Sequence, residues 1–456
     1  MATSYQDLAQ VAKVAVLTDN DSFIVETGNS VRRVPVSTAM LQMGDDALLP
    51  NIAFYIDVNV PSSLGAVRVN TGGNEHIRSL WEAEHKDILM DKDGNYTELN
   101  PDDCHYTADG EQVADLATHE VLEAWKNCDF MRLCPKTYGR IQEVTVGSST
   151  IQRLWLSLIP LAGGFVIPQQ VVGKCKCSIV DGALRSLPGM VTADSKTINA
   201  FWTLAQTRSK NHGLANLDFR NLLLYYMMSK YGWRDSQSCK TSDGTLIWGV
   251  GLDGSESTGS DKFACQKNIK TGHTFSLGSH DGKVEVADSD GAAVHGVNVF
   301  GFENPWGQKW EMVQGLCSVG TDVYCWRDNV MPAGTPTAAS FSNIDCVVLT
   351  RHNAGLSSGN DSKLMNIVTG NNGQGCYMIL KGTQTGINYG DYFSYNEQGQ
   401  LWLFGGSSDY GSRCGLASAF SYNGWTASAA SISARLAYYG DIRRVSTKRL
   451  AELIAK

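Results

Sequence analysis

Charge is scarce in this chain of 456 residues: Asp, Glu, Lys and Arg together make up 18% of it, and the formal net charge is −8. So few cations argue against sequence-independent nucleic-acid binding, which rests on Lys and Arg neutralising phosphates. The same shortage argues against docking on anionic membranes. Long apolar runs are missing too. The best stretch, LWLSLIPLAGGFVI, is interrupted by Pro160 and two glycines, whereas a spanning helix needs about 18 or more apolar residues in a row. The first residues, MATSYQDLAQVAKVAVLTDNDSF, have no basic region followed by an apolar run, so no signal peptide is expected. No repeat of fixed period and no Pro-rich linker divides the chain.

Catalytic motifs are absent as well. The Ser/Gly-rich stretches GLDGSESTGS and GGSSDYGS do not match the G-x-S-x-G nucleophile elbow. There is no phosphate-cradling G-x-x-x-x-G-K-[ST] and no H-E-x-x-H, because His119-Glu120 is followed by Val121, Leu122 and Glu123. The nine histidines are scattered through the sequence. Twelve cysteines in a chain without an export signal read as free thiols. Cys175 and Cys177 share a face if they lie on a strand, but no second pair stands at ligand spacing. DKDGN is not a calcium loop, since the twelfth position from Asp91 is Asp102 rather than Glu. The expectation is a protein that is not an enzyme, with no catalytic residues, no metal ligands and no cofactor.

What the chain has is glycine (46), tryptophan (11), tyrosine (17) and a hydrophobic fraction of 43%. That composition predicts an α+β fold rich in strands and loops. The length allows two to four domains, and changes of texture suggest 1–50, 51–145 and 146–456. In the first, DSFIVETGNSVRRVPVS predicts two short strands around a turn. In the second, AFYIDVNV and GAVRVN are strands, DKDGNYTELN is a hairpin turn with Asp93-Gly94 at its apex, and VADLATHEVLEAWKN has helical spacing. In the third, Thr197 caps one helix and Asn216 or Asp218 a second, whose run FRNLLLYYMMSKYG is apolar all round and so belongs inside a domain. Short strands follow at TLIWGVGL, GVNVFGFEN, CVVLT, CYMILKG, QLWLFGG and ISARLAYYG, and RRVSTKRLAELIAK ends as a final helix or a frayed tail.

One stretch fits neither core nor linker: GGSSDYGSRCGLASAFSYNGWTASAASISARLAYYGD, from Gly405 to Asp441. Ala, Ser and Gly dominate its middle, with Phe420, Tyr422, Asn423 and Trp425 dotted through them. Gly405-Gly406, Gly411-Ser412, Gly415-Leu416 and the closing Ile432, Ala434-Arg435-Leu436 resemble the C-terminus of variable proteins of diversity-generating retroelements and of related phage receptor-binding proteins. NPWGQKWEMVQG, from Asn304 to Gly315, resembles the N-x-x-G-N-x-W-E-W-V-x-G segment of C-type lectin folds of the formylglycine-generating-enzyme type, with Gln308 and Met312 as departures. The stretch from Lys176 to Gly232, with strands leading to two helices, looks like the opening of that domain in phage and prophage tail proteins. GAVRVNTGGNEHIRSLWEAEHKDILMDKDGNYTELNPDDC and DFMRLCPKTYGRI are similar to modules preceding it, and DNDSFIVETGNSVRRVPVS is similar to N-terminal segments of phage structural proteins. The oxidase branch of the fold has two cysteines after GGS. Here those positions fall near Tyr410 and Gly415, so the likeness implies the fold without that chemistry.

The resemblance implies a phage virion protein, a tail or head fibre, acting as receptor-binding adhesin. Residues 1–50 would attach it to other virion proteins and help oligomerise it, as a homotrimer. Residues 51–145 would form a β-rich intermediate domain, and 146–456 the C-type-lectin-like domain that meets a bacterial cell-surface receptor, protein or glycan. Leu401, Leu403, Ile432 and Leu436 would anchor the final segment, with Trp306 and Trp310 in the core. The expected receptor-binding residues are Ser408, Asp409, Tyr410, Arg413, Ser418, Phe420, Tyr422, Asn423 and Trp425, because Tyr and Trp give contact area at low entropic cost while Ser and Asn give adaptable hydrogen bonds. For Phe420, Tyr422 and Trp425 the competing expectation is packing beneath the loop. A purely structural fibre or decoration protein is the alternative, and an enzyme acting on surface glycans a more remote one.

Overall fold

The computed structural model describes residues 22–27, 30–35, 46, 49–58, 69–233, 235–249, 251–252, 269–287, 293–350, 363–369, 376–382, 393–395, 399–411 and 414–455. The fold is α+β and dominated by sheets, as the composition predicts. Strands Ser22–Thr27 and Ser30–Pro35 pair as an antiparallel hairpin. A seven-stranded sheet runs in the order His212–Leu214, Leu436–Tyr438, Gln170–Gly173, Asp129–Cys134, Lys86–Met90, Asn95–Glu98, Arg443–Arg444. A second sheet runs Cys346–Thr350, Asp322–Trp326, Trp310–Val319, Leu401–Phe404, Ala419–Asn423, Phe393–Tyr395, with Ile432–Ala434 added in parallel to Trp310–Val319.

These sheets correct the domain division. The expected boundary at 145/146 falls inside a hairpin, Thr137–Val146 paired with Ser149–Ser157. The first seven-stranded sheet also takes strands from both sides of that boundary.

Both helices of the 197–232 region form with the predicted caps. Thr197 accepts a hydrogen bond from the Ala200 amide, and Asn216 from the Phe219 amide. Gly232, at φ 66°, ends the second helix in the left-handed conformation that glycine adopts without a Cβ penalty. That helix, Leu217–Tyr231, buries thirteen of its fifteen residues. It shares one apolar core with Phe54 and Ile56 of one sheet and with Val313, Leu316 and Phe404 of another. Each such large apolar side chain contributes about 1.5–3 kcal/mol on burial. The shorter helix, Ile198–Arg208, packs Ile198, Phe201 and Ala205 into a second core with Trp310, Leu401, Leu403, Ile432 and Leu436. The four predicted anchors are thus buried, as are Trp306 and Trp310.

The helix expected within 113–127 does not form. The Asp115 carboxylate accepts from the amides of Ala117 (2.9 Å) and Thr118 (2.8 Å). This local side-chain turn competes with helical bonding, and His119 then sits at φ 58°. Only a short 3-10 turn, Glu123–Trp125, remains. The helix of this region is instead Glu75–Ala83, capped by Asn74, with Ile77 and Trp81 buried. TLIWGVGL makes isolated bridges through Leu246 and Leu252 rather than a strand, while most of GAVRVN lies outside the described residues. The DKDGN hairpin forms, with Gly94 at φ 87° and Asp91 accepting from the amides of Asp93 and Asn95. The final helix, Thr447–Ile454, docks through buried Leu450 and a Thr447–Asp109 hydrogen bond. No helix among the described residues is long and apolar enough to cross a membrane.

Candidate recognition surface

Both ends of the Gly405–Asp441 stretch are tied to one strand. Leu401–Phe404 runs antiparallel to Trp310–Val319, pairing Glu311 with Phe404 and Met312 with Leu403. Ile432–Ala434 lies on the other side of that strand, in parallel: Trp310 with Ile432, Glu311 with Ser433, Met312 with Ala434. Beneath this clamp the Arg435 guanidinium grips the Glu311 carboxylate at 2.7 and 3.3 Å. Lys176 (3.3 Å) and Arg220 (3.7 Å) face the same carboxylate, and all four side chains are almost wholly buried. Further donors of these side chains go to the backbone: Arg435 reaches the carbonyls of Gly173, Lys174 and Glu303, and Arg220 those of Pro305 and Leu416. Burial acts to raise the Glu311 pKa, yet Arg435, Lys176 and Arg220 together hold it down to about 2. Burial pulls Lys176 down to about 8, against the attraction of Glu311.

From this clamp the chain emerges and returns as the strand Ala419–Asn423. It pairs antiparallel with Leu401–Phe404 and parallel with Phe393–Tyr395. Alternation along it points Ala419 and Ser421 inward and leaves Phe420 and Tyr422 on the outer face. Tyr422 is 57% exposed. Its ring lies 5.8 Å from that of Phe420, which lies 5.7 Å from the buried Trp310. Tyr410, half-buried, meets Trp310 edge-on at 5.0 Å. The result is an aromatic ladder from core to solvent, with Trp310 at its base. Asp409 is exposed beside it and accepts from Ser407, and half-buried Asn423 stands next to Tyr422.

Three expected receptor-binding residues need correction. Ser408 and Ser418 are fully buried, and Trp425 is 1% exposed. Ser408 is drawn in where its amide donates to Gln308 O at 3.1 Å, and Ser418 where its carbonyl accepts from Gly405. Trp425 folds back into the core, its Nε1 donating to Asn199 Oδ1 at 2.7 Å. None of the three offers side-chain surface to a partner. Arg413 lies outside the described residues. The structure brings Asp409, Tyr410, Phe420, Tyr422 and Asn423 to accessible positions, Tyr422 foremost. Sequence reading missed Asn199 and Gln400, which hold Trp425 through its Nε1 and its amide. Asn199 stands 226 positions away, and no local signal marks it.

Elsewhere, the histidines prove less scattered than the sequence suggests. His105 bonds Asp103 at 2.6 Å and His119 at 2.8 Å, and burial, then the neighbouring His105, lowers the pKa of His119. Cys175 and Cys177 enter two different cores rather than one face. Of the ten cysteines whose side chains are described, nine are buried, and burial pushes thiols such as Cys134 up to about 12 and Cys177 to about 11, which makes them poor nucleophiles. Among the described residues no group of three or more His, Cys, Asp or Glu could hold a metal ion. Compared with protein-family models and with curated proteins, the chain matches none.

Proposed function

We propose that this chain is a phage virion structural protein that works as a receptor-binding adhesin. In this reading the C-terminal part of the chain carries a C-type-lectin-like fold, the N-terminal residues join it to other virion proteins, and three copies assemble. The receptor is a molecule of the bacterial cell surface, protein or glycan. The observation that carries the reading is Tyr422, a large aromatic 57% exposed on a strand whose flanks are locked into the core. A rigid aromatic with polar neighbours loses little entropy on contact, and copies on one particle multiply a weak single-site affinity.

The test is binding of fluorescently labelled full-length protein to a panel of bacterial strains, followed by flow cytometry. Saturable binding to a subset of strains is expected. Absence of binding to every strain, with the protein folded and trimeric, would favour a structural fibre or decoration protein. The burial of Ser408, Ser418 and Trp425, which narrows the display face, is the observation on that side.

A further inference from the structure

The turn 115–120, where the expected helix does not form, is tied to the body of the fold by a histidine. Its backbone folds on itself: the His119 amide donates to Asp115 O and the Asp115 amide to Glu120 O, both at 2.9 Å. It lies close on two glycines. A Cβ at Gly189 would come within 2.6 Å of Glu120 Cα, and one at Gly272 within 3.2 Å of His119 Cβ. The Glu120–Lys270 pair at 3.0 Å is exposed and adds little. His119, at φ 58°, meets the buried His105 with ring centroids 5.1 Å apart, and His105 rests in turn against Phe275 at 5.8 Å.

The partners of these two rings fix how many protons they can hold. His105 Nδ1 lies 2.6 Å from the Asp103 carboxylate and so carries a proton. His105 Nε2 lies 2.8 Å from His119 Nδ1, and a hydrogen bond between two ring nitrogens contains one proton. His119 Nε2 remains, and it can be protonated with the bond kept. The pair therefore accepts one proton beyond its neutral state. A second would set two N–H groups face to face and break the contact. In the unfolded chain both rings charge near pH 6.5. The surrounding groups are already engaged. Asp115 accepts from the amides of Ala117 and Thr118, and Glu303 from those of Gly272 and Thr274. His273 Nδ1 is 2.8 Å from the Lys270 carbonyl and donates there, leaving Nε2 to accept from Asn304 at 3.0 Å. Burial first, and then the charge of His105, lower the His119 pKa; His273 adds to them, while Glu303 and Asp115 oppose.

We infer that the His105–His119 contact is an acid-released latch, closed by the single proton between the two rings and opened by a second, which frees the turn 115–120 from the small core it adjoins, formed by Cys104, Val113, Ala114 and Trp125. The closed pair holds one proton fewer than the open one, so opening becomes up to tenfold more favourable per pH unit as pH falls below about 6.5. The latch does not depend on the adhesin reading. Hydrogen–deuterium exchange of the full chain, read by mass spectrometry and corrected for the intrinsic rate at each pH, tests it. Protection of peptides covering 113–122 should fall about tenfold per pH unit from pH 6.5 to 5, while that of the helix Leu217–Tyr231 is kept. In His119→Asn the new residue suits a positive φ and does not titrate, so protection at 113–122 should stay level over the same range. Exchange at the histidine C2 protons of the wild type, which needs no variant, should show His105 and His119 taking up one proton between them down to pH 5 in molecules whose turn is closed. Level protection in the wild type, an equal loss in His119→Asn, a loss shared by the helix, or full charging of both rings with the turn still protected would each overturn the latch.

Discussion

The two halves of the Gly405–Asp441 stretch are built on opposite terms. The clamp spends charged, bulky and hydrogen-bonding groups on holding itself in place: Arg435 is wholly buried and reaches Glu311 and three backbone carbonyls. The display strand, a few residues away, leaves Tyr422 at 57% exposure, with Asn423 and Gly424 beside it outside the core. Both sit on Trp310, whose backbone pairs with the clamp and whose ring supports Phe420 and Tyr410. Rigidity and presentation are thus divided between neighbouring residues. A binding surface can be changed at one set of positions only if the other set carries the stability.

That division can be broken from the clamp side first. Arg435→Met leaves Glu311 buried with its closest partner gone, and breaking such a pair is expected to lower stability by about 3–5 kcal/mol, read by urea unfolding. Trp425→Phe keeps most of the ring volume and loses the bond to Asn199, a smaller cost of about 1–3 kcal/mol. Acid gives a graded version. Glu311 titrates near 4.5 when unfolded and near 2 in the fold, so its contribution is present above pH 4.5 and is lost as pH falls from 4.5 towards 2. In Glu311→Gln that part of the acid dependence should vanish from the unfolding curves. Tyr422→Ala, on the display side, should change stability by no more than about 0.5 kcal/mol. A large loss there would merge the two regions into one.

Legibility in the sequence follows how local each feature is. Thr197 and Asn216 were readable as caps because the amides they bond lie three residues on. The all-round apolar run of Leu217–Tyr231 announced its burial. Helical spacing misled at Val113, Leu116 and Val121, where the Asp115 turn prevails and Leu116 ends 53% exposed. The anchors Leu401, Leu403, Ile432 and Leu436 were legible as apolar residues on short strands. The fate of Trp425 was not, because it depends on Asn199 in a distant helix. The Glu311–Arg435 pair spans 124 positions, and the seven-stranded sheet gathers strands from Lys86 to Arg444. Neither pairing leaves a mark within any local window.

The central claim, that the display strand recognises a partner while the clamp only holds it, is tested most directly by cell binding of the wild type against Asp409→Ala/Tyr422→Ala on a strain the wild type labels. The account predicts an apparent affinity at least about tenfold weaker, with the melting temperature and oligomeric state unchanged. Equal labelling by a variant as stable as the wild type would contradict it.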